Sequence, residues 1–402
     1  MMWIDKNVDE SAKKRLNKRI SRRMASAGIL AVVMGSSLPM TAMAASPEFA
    51  RTAEEWAKLR DDVLEYDEIA GLIHEYNVTV QNNQYEYNEF IKDYGRTRED
   101  VAKAYRDLAD GLEADKSGES EAMSRISDLQ LEQKAKQLRE QADDNIEDSH
   151  IHYLSYQQAE DNLAMSAQSK YISYFRDKLE LESAKEEKQT LENNYQLAVT
   201  RRQAGTGTEM DVLDAQEKIL EQEKTISKLA QEIEYSRQSL LIMLGWQAGD
   251  NPEICELPQF DLAELDGIDP QADKQTAIEQ NYTLQINRRK LENARDADNQ
   301  EKIKKTIRGN ESQIAVSVTN AWNALQSARL SYEQAVADVS TQERSLSISQ
   351  QKWNAGMITR YEYEQQQITL STKQRAQETA MLSLMEALET YRWNVNGLAS
   401  AG

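Results

Sequence analysis

Val212, Ile219, Ile226, Ile233 and Leu240 stand seven residues apart. Five successive apolar side chains at one heptad position predict the seam of a coiled coil. The same register returns 151 residues later as Tyr363, Leu370, Gln377, Leu384 and Tyr391, apolar or aromatic at four of five positions. A stripe this narrow cannot support a globular core alone, so each helix needs a neighbour in a hairpin. Breakers place the elements. From Arg51 to about Glu113 there is no proline, and Asp115–Ser120 is the first turn. Ser120–Gln203 holds neither Pro nor Gly, a stretch of about 125 Å if it runs as one unbroken helix. Gly205 and Gly207 precede a helix over Glu209–Leu244, ended at Gly245-Trp246. Residues 246–270 carry three of the five prolines and read as a linker. Helix resumes near Ala272 and runs to about Ile307, where Arg308-Gly309-Asn310 predicts a tight reversal. A further helix leads to Trp353, and a last one spans Arg360 to Val395, closed by Asn396-Gly397.

The 151-residue offset also aligns two turns. Ala204-Gly205-Thr206-Gly207-Thr208-Glu209-Met210-Asp211 matches Ala355-Gly356-Met357-Ile358-Thr359-Arg360-Tyr361-Glu362. In each, a glycine can take positive φ and end the incoming helix. Three residues on, Thr208 or Thr359 can cap the outgoing helix, with Asp211 or Glu362 at the spacing of a capping box. A second echo opens each half: Asn77-Val78-Thr79-Val80 resembles Asn281-Tyr282-Thr283-Leu284. Asn77 stands 128 positions before Gly205 and Asn281 stands 75 before Gly356, so the first half is longer by 53 residues, read as longer helices. The expected fold is all-α: two tandem repeats of long antiparallel coiled-coil helical hairpins, over 45–245 and 271–402, joined by the 246–270 linker.

Composition agrees and narrows the function. The 402 residues include 15 Gly, 5 Pro, 1 Cys and 3 His, too little turn chemistry for an all-β fold and too few ligands for a multi-Cys metal site. Residues 1–44 carry eight of the 48 basic and three of the 68 acidic side chains, which leaves 40 against 65 for the rest. A chain so acidic is repelled by nucleic-acid phosphates and anionic lipid. The leader itself has a basic stretch ending at Arg23, an apolar run Ala25–Met34, and Ala42-Met43-Ala44. That is the layout of a secretory signal peptide cleaved after Ala44; an uncleaved amphiphilic anchor is the other reading. Nothing beyond Ala44 is long and apolar enough to span a bilayer as a helix.

The segment Tyr195–Ala198, Arg202–Gly205, Thr208, Asp211-Val212-Leu213, Ala215-Gln216 and Leu241–Gly245 resembles the TolC-like outer-membrane efflux protein family. Gly356, Thr359, Glu362, Gln367 and Asn396-Gly397 repeat it more loosely, and Asn77 and Asn281 look like the asparagine that opens the first long helix of each repeat. The resemblance covers most of 70–400. It implies a homotrimer whose hairpins form a hollow tube for export or efflux. It also implies tips that dock a membrane-fusion-type adaptor coupled to a cytoplasmic-membrane pump. One departure is plain. The family inserts two barrel strands between the long helices of each repeat, and a spanning strand needs roughly 9–11 residues. Glu301–Asn310 leaves no room for two, and residues 110–125 are charged and small. A barrel-less version is expected, suited to a cell without an outer membrane.

No residue set points to catalysis, a cofactor or a metal. Gly205-Thr206-Gly207-Thr208 lacks the strand, the third glycine and the Lys-Ser/Thr of a phosphate loop. His150 and His152 at i, i+2 diverge on a helix, and Cys255 has no base beside it in sequence. Acid pairs such as Asp61-Asp62 and Glu186-Glu187 read as solvated faces, and Trp322, Trp353 and Trp393 as seam packing. The candidate site is therefore the two tips: Gly205, Thr206, Gly207, Thr208 and Asp211, with Gly356, Met357, Ile358, Thr359 and Glu362. Capping explains each tip alone; docking of a partner hairpin is the functional reading. The chain is expected to be exported, in the cell envelope or outside, and non-enzymatic. An extracytoplasmic coiled-coil scaffold of the cell envelope with no transport role is the alternative.

Overall fold

In a computed structural model the described residues are 46, 48–118, 121–258 and 261–402. The leader, its cleavage site after Ala44, and Ser120 of the first expected turn lie outside them. The chain forms two compact units, and the division falls inside one helix, after Glu89, and again after Ser149.

The smaller unit, described over Phe90–Ser149, is a helical hairpin of its own. The end of α3 (Val78–Tyr94) leads through Gly95 into α4 (Arg98–Ala114), which turns back as α5 (Ala122–Asp144). Thr97 caps α4 through the Asp100 N–H, and the Asp100 carboxylate accepts from the Thr97 N–H, which holds its pKa below the usual range. Ala109, Ala135 and Leu138 form the small core. Small residues let the two backbones approach, and Arg139 spans them to Glu113 at 2.7 Å and Asp110 at 2.7 Å. The stretch to Gln203 that lacks Pro and Gly is therefore not one helix; it breaks here, between Asp144 and Ser149. Asn145 makes the turn with its own side chain, accepting from the Glu147 N–H at 3.2 Å and donating to the Glu147 carbonyl at 2.9 Å. Buried Arg98 donates to the Asn145 and Asp143 carbonyls at 2.7 and 2.9 Å, which satisfies the C-terminal end of α5. The extra length of the first half is thus a folded-back hairpin, not longer helices.

The larger unit holds four long helices: α6 (Ser149–Gln203), α7 (Glu209–Met243), α11 (Ala297–Asn354) and α12 (Arg360–Trp393). Shorter ones, α1 (Ala53–Lys58), α2 (Ile69–Tyr76), α8 (Ala263–Asp266), α9 (Pro270–Gln280) and α10 (Tyr282–Asn293), close their ends. Gln222 of α7 donates to the Ala184 carbonyl of α6 at 2.9 Å, and Lys373 of α12 meets Asp338 of α11 at 2.7 Å. Arg176 of α6 meets Glu386 of α12 at 2.6 Å and so joins the two hairpins. The apolar core lies in two clusters. One gathers Leu64, Ile69, Ile73, Tyr171, Leu240 and Leu244; the other Leu284, Ile314, Val318, Leu325, Leu384 and Tyr391. The only strands among the described residues are a two-residue parallel pair, Val63-Leu64 against Glu253-Ile254. The Tyr171 hydroxyl seals its end by donating to the Cys255 carbonyl. The fold is all-α without barrel strands among the described residues.

The expected reversal at Arg308-Gly309-Asn310 is corrected: α11 runs straight through it. A glycine in a helix costs only about 1 kcal/mol, and Asn310 is buried, with its amide donating to the Ala401 carbonyl. The break comes earlier, at 294–296. There Asp296 caps α11 through the Asn299 N–H at 2.8 Å, and Gln300 donates to the Ala294 carbonyl at 2.7 Å. Neither Gly nor Pro marks it.

Each half is latched where its first and last helices meet. Asn77 accepts from the Thr79 and Val80 N–H groups at 2.9 and 3.2 Å, opening α3, and donates to the Met243 carbonyl at 2.7 Å. Asn281 accepts from the Leu284 N–H at 3.1 Å, opening α10, and donates to the Gly397 and Ala399 carbonyls at 3.2 and 2.7 Å. One side chain thus pairs an orphan donor at a helix start with orphan acceptors at a helix end. The glycines beside them are fixed by contact. A Cβ on Gly245 (φ +101°) would lie 2.3 Å from the Tyr76 Cβ, and one on Gly397 (φ +112°) 3.0 Å from the Gln280 carbonyl.

Candidate functional site

The two tips share one backbone. At the first, Gly205 has φ +71° and Thr206 N–H reaches back to the Arg201 carbonyl at 2.9 Å; at the second, Gly356 has φ +71° and Met357 N–H reaches the Lys352 carbonyl at 2.8 Å. Both are the six-to-one closure that ends a helix on a left-handed glycine. The outgoing caps match as well. The Asp211 N–H donates to Thr208 Oγ1 at 3.2 Å and the Thr208 N–H to Asp211 Oδ2 at 2.7 Å; the Glu362 N–H donates to Thr359 Oγ1 at 3.2 Å and the Thr359 N–H to Glu362 Oε2 at 2.7 Å. These bonds from the cap threonines hold both carboxylates below their usual pKa.

The side chains differ. The first tip is polar: Arg202 pairs with Glu209, and the Thr206 hydroxyl donates to the Arg201 carbonyl at 3.1 Å. A Cβ at Gly207 would press on Arg201 Cβ at 3.1 Å, whereas Ile358 stands at the matching place in the second tip. The second tip is apolar. Met357 is 73% exposed, Tyr361 is exposed, and Trp353 stacks on Tyr363 with ring centroids 5.0 Å apart. Trp353, expected as seam packing, thus stands half-open beside the tip. At the first tip Met210 and Leu213 are exposed too. Met357 was among the tip residues expected from sequence; Met210, Leu213 and Tyr361 were not, although each lies within five residues of a cap threonine. Around Gly205 and Gly356 nothing lies within 4 Å of an added Cβ, so the turn backbone is open to a partner.

The seam residues run back from the first tip along α7. Val212 and Leu240 are buried, and Ile219, Ile226 and Ile233 are half-buried between exposed neighbours. No group of His, Cys, Asp and Glu among the described residues could hold a metal. His150 and His152 lie against Tyr153 and Tyr156, and burial, with Glu65 and other acids nearby, pushes the Cys255 thiol up. Among the described residues no helix is long and apolar enough to cross a membrane.

No protein-family model matches the sequence, and no curated protein matches it. Solved structures do. The CmeC outer membrane channel of Campylobacter jejuni is 11% identical, with a TM-score of 0.52 over 92% of this chain and 95% of that one. The outer membrane protein VceC of Vibrio cholerae is 10% identical, with a TM-score of 0.51 over 86% and 99%. The outer-membrane channel OprN is 14% identical, with a TM-score of 0.50 over 91% and 99%. The chain has a TolC-like fold.

Proposed function

We propose that this chain is a non-enzymatic component of an export or efflux assembly, working outside the cytoplasmic membrane as a helical conduit or adaptor-docking protein. Its mature part begins after the leader at Ala44 and comprises two hairpin repeats, over 45–245 and 271–402, with the linker 246–270 between them. The two glycine tips meet a membrane-fusion-type adaptor, itself coupled to a cytoplasmic-membrane pump, and the seam of α7 helps to hold a homotrimer. The observation that carries this reading is the pair of tips: one backbone twice over, on a TolC-like fold, with open space at both glycines and exposed Met210, Met357 and Tyr361 beside them. Exposed apolar side chains clustered at a rigid turn are what a partner hairpin would cover.

The test is capture of the adaptor by the full chain. Proline cannot adopt the positive φ of either tip, so Gly205→Pro with Gly356→Pro is expected to abolish capture while the far-ultraviolet helix signal persists. Capture that survives with the helices intact contradicts docking at the tips. Light scattering is expected to give three times the chain mass; a monomer or dimer favours an envelope scaffold instead.

A further inference from the structure

Two cavities of the larger unit meet at Pro258 and Met385, which line both. The smaller, about 350 Å³, is walled by Tyr66, Asp67, Gln168, Glu264, Glu389 and Arg392. The larger, about 580 Å³, is lined by Phe175, Leu179, Leu257, Tyr332, Met381 and Leu382. Glu182, Glu256 and Glu378 also line it, against Lys178, and Glu182 is paired with Lys185 at 2.7 Å just outside the lining. Together the two cavities hold six carboxylates and two cationic groups. Of the cations, Arg392 is committed to Glu389 at 2.9 Å and Glu264 at 2.9 Å. Lys178 already lies over the Phe175 ring, 5.2 Å from its centroid. The field in the cleft is therefore negative and its larger half apolar.

Tyr66 adds an independent observation. It is 8% exposed, and its hydroxyl is buried with no hydrogen-bond partner. A buried hydroxyl left unpaired is a costly arrangement in a folded chain and calls for a polar atom beside it. After burial itself, the charges acting most on that hydroxyl are those of Glu389 and Arg392, in the same wall. Trp393 Nε1 takes up Gln168 Oε1 at 2.7 Å, so that acceptor is already satisfied.

We infer that this double cleft binds a small amphipathic amine, with its ammonium held by the Tyr66 hydroxyl, the Asp67 carboxylate and the Glu389 oxygen that Arg392 leaves free, and its apolar body against Phe175, Leu257 and Met385. Opposite charge attracts the cation, and the apolar half favours a hydrocarbon body over water. The site is separate from the tips. Gln377, the nearest lining residue of α12 to the Thr359 cap, lies roughly 27 Å from it along the helix at 1.5 Å per residue. The inference therefore stands whether or not an adaptor docks there.

Calorimetric titration of the full chain with 2-phenylethylamine and its neutral isostere 2-phenylethanol tests it. The amine is expected to saturate one site, with the alcohol at least about tenfold weaker because it leaves the carboxylates unpaired. Tyr66→Phe removes only the orphan hydroxyl and is expected to weaken the amine at least about fivefold with an unchanged or higher Tm. Glu389→Gln should weaken the amine about threefold or more and leave the alcohol unaffected. Should Tyr66→Phe not fold, Glu389→Gln decides alone. Absence of saturation, equal affinity for the two probes, or amine binding unchanged in a folded variant overturns the assignment. A cleft holding nothing but water gives the first of these results.

Discussion

The same residue type does different work at the two ends of each hairpin. Gly245 and Gly397, where first and last helices meet, are pinned by contact: Tyr76 and the Gln280 carbonyl occupy the space a side chain would need. Gly205 and Gly356 take the same left-handed backbone at the tips with nothing within 4 Å of a Cβ. The junctions are closed by packing and by asparagines bonded in both directions. The tips are closed only by their own caps and keep an open surface. A function that needs an approachable backbone belongs at the tips; stability belongs at the junctions.

Mutations can break that contrast. Gly245→Ala meets Tyr76 Cβ at 2.3 Å and is expected to cost about 3 kcal/mol or more, because backbone or helix must shift. Gly205→Ala adds only left-handed strain, about 1 kcal/mol. Denaturant unfolding that finds the two equal removes the distinction. Asn281→Ala should cost about 2–3 kcal/mol by orphaning two carbonyls and the start of α10, measured the same way. Thr208→Ala and Thr359→Ala are each expected to cost about 1 kcal/mol, and to cost the same, since the caps share one geometry.

A buried carboxylate and the tip caps differ in the sign of their pH response. Glu68, buried at the start of α2 with one carboxylate oxygen unpaired, is pushed up to about 7 by burial, with Asp61 and Glu65 adding to the shift. Its folded pKa lies above the unfolded value, so its contribution is fully present below the unfolded pKa and is lost as pH rises through about 7. Glu68→Gln is therefore expected to raise Tm at pH 8 and to change it little at pH 4. Asp211 and Glu362 lie below their usual pKa, so the cap contribution is present above the unfolded pKa and is lost as pH falls through the folded one. The acid limb of a melting profile should accordingly be shallower in the Thr208→Ala, Thr359→Ala double variant. An unchanged acid limb would show that the caps do not titrate with folding.

What the sequence made legible follows the physics of breakers and periods. The heptads of Val212 to Leu240 and the glycine turns are local, and α7 and α12 start at Glu209 and Arg360 as their cap spacings require. The turns at 145–148 and 294–296 were hidden because Asn145 and Asp296 build them with side chains, without Gly or Pro. The α3–α4 turn did carry a signal, Gly95 followed by Thr97 and Asp100, with the capping-box spacing of the tips and the glycine one residue nearer the cap. Gly309 misled because a lone glycine inside a helix is tolerated when its neighbour Asn310 is buried and bonded. The pairing of Asn77 with Met243, and of Gly245 with Tyr76, joins residues more than 160 apart, beyond the reach of any local pattern. The cleft at Tyr66 is hidden for the same reason.

The central claim is that both tips face one partner. Photo-crosslinking amino acids at Thr206 and Met357, with exposed Glu217 of α7 as control, test it in living cells. The account predicts that positions 206 and 357 crosslink to the same adaptor protein and that position 217 does not. No adduct at either tip, or equal labelling at position 217, would contradict it.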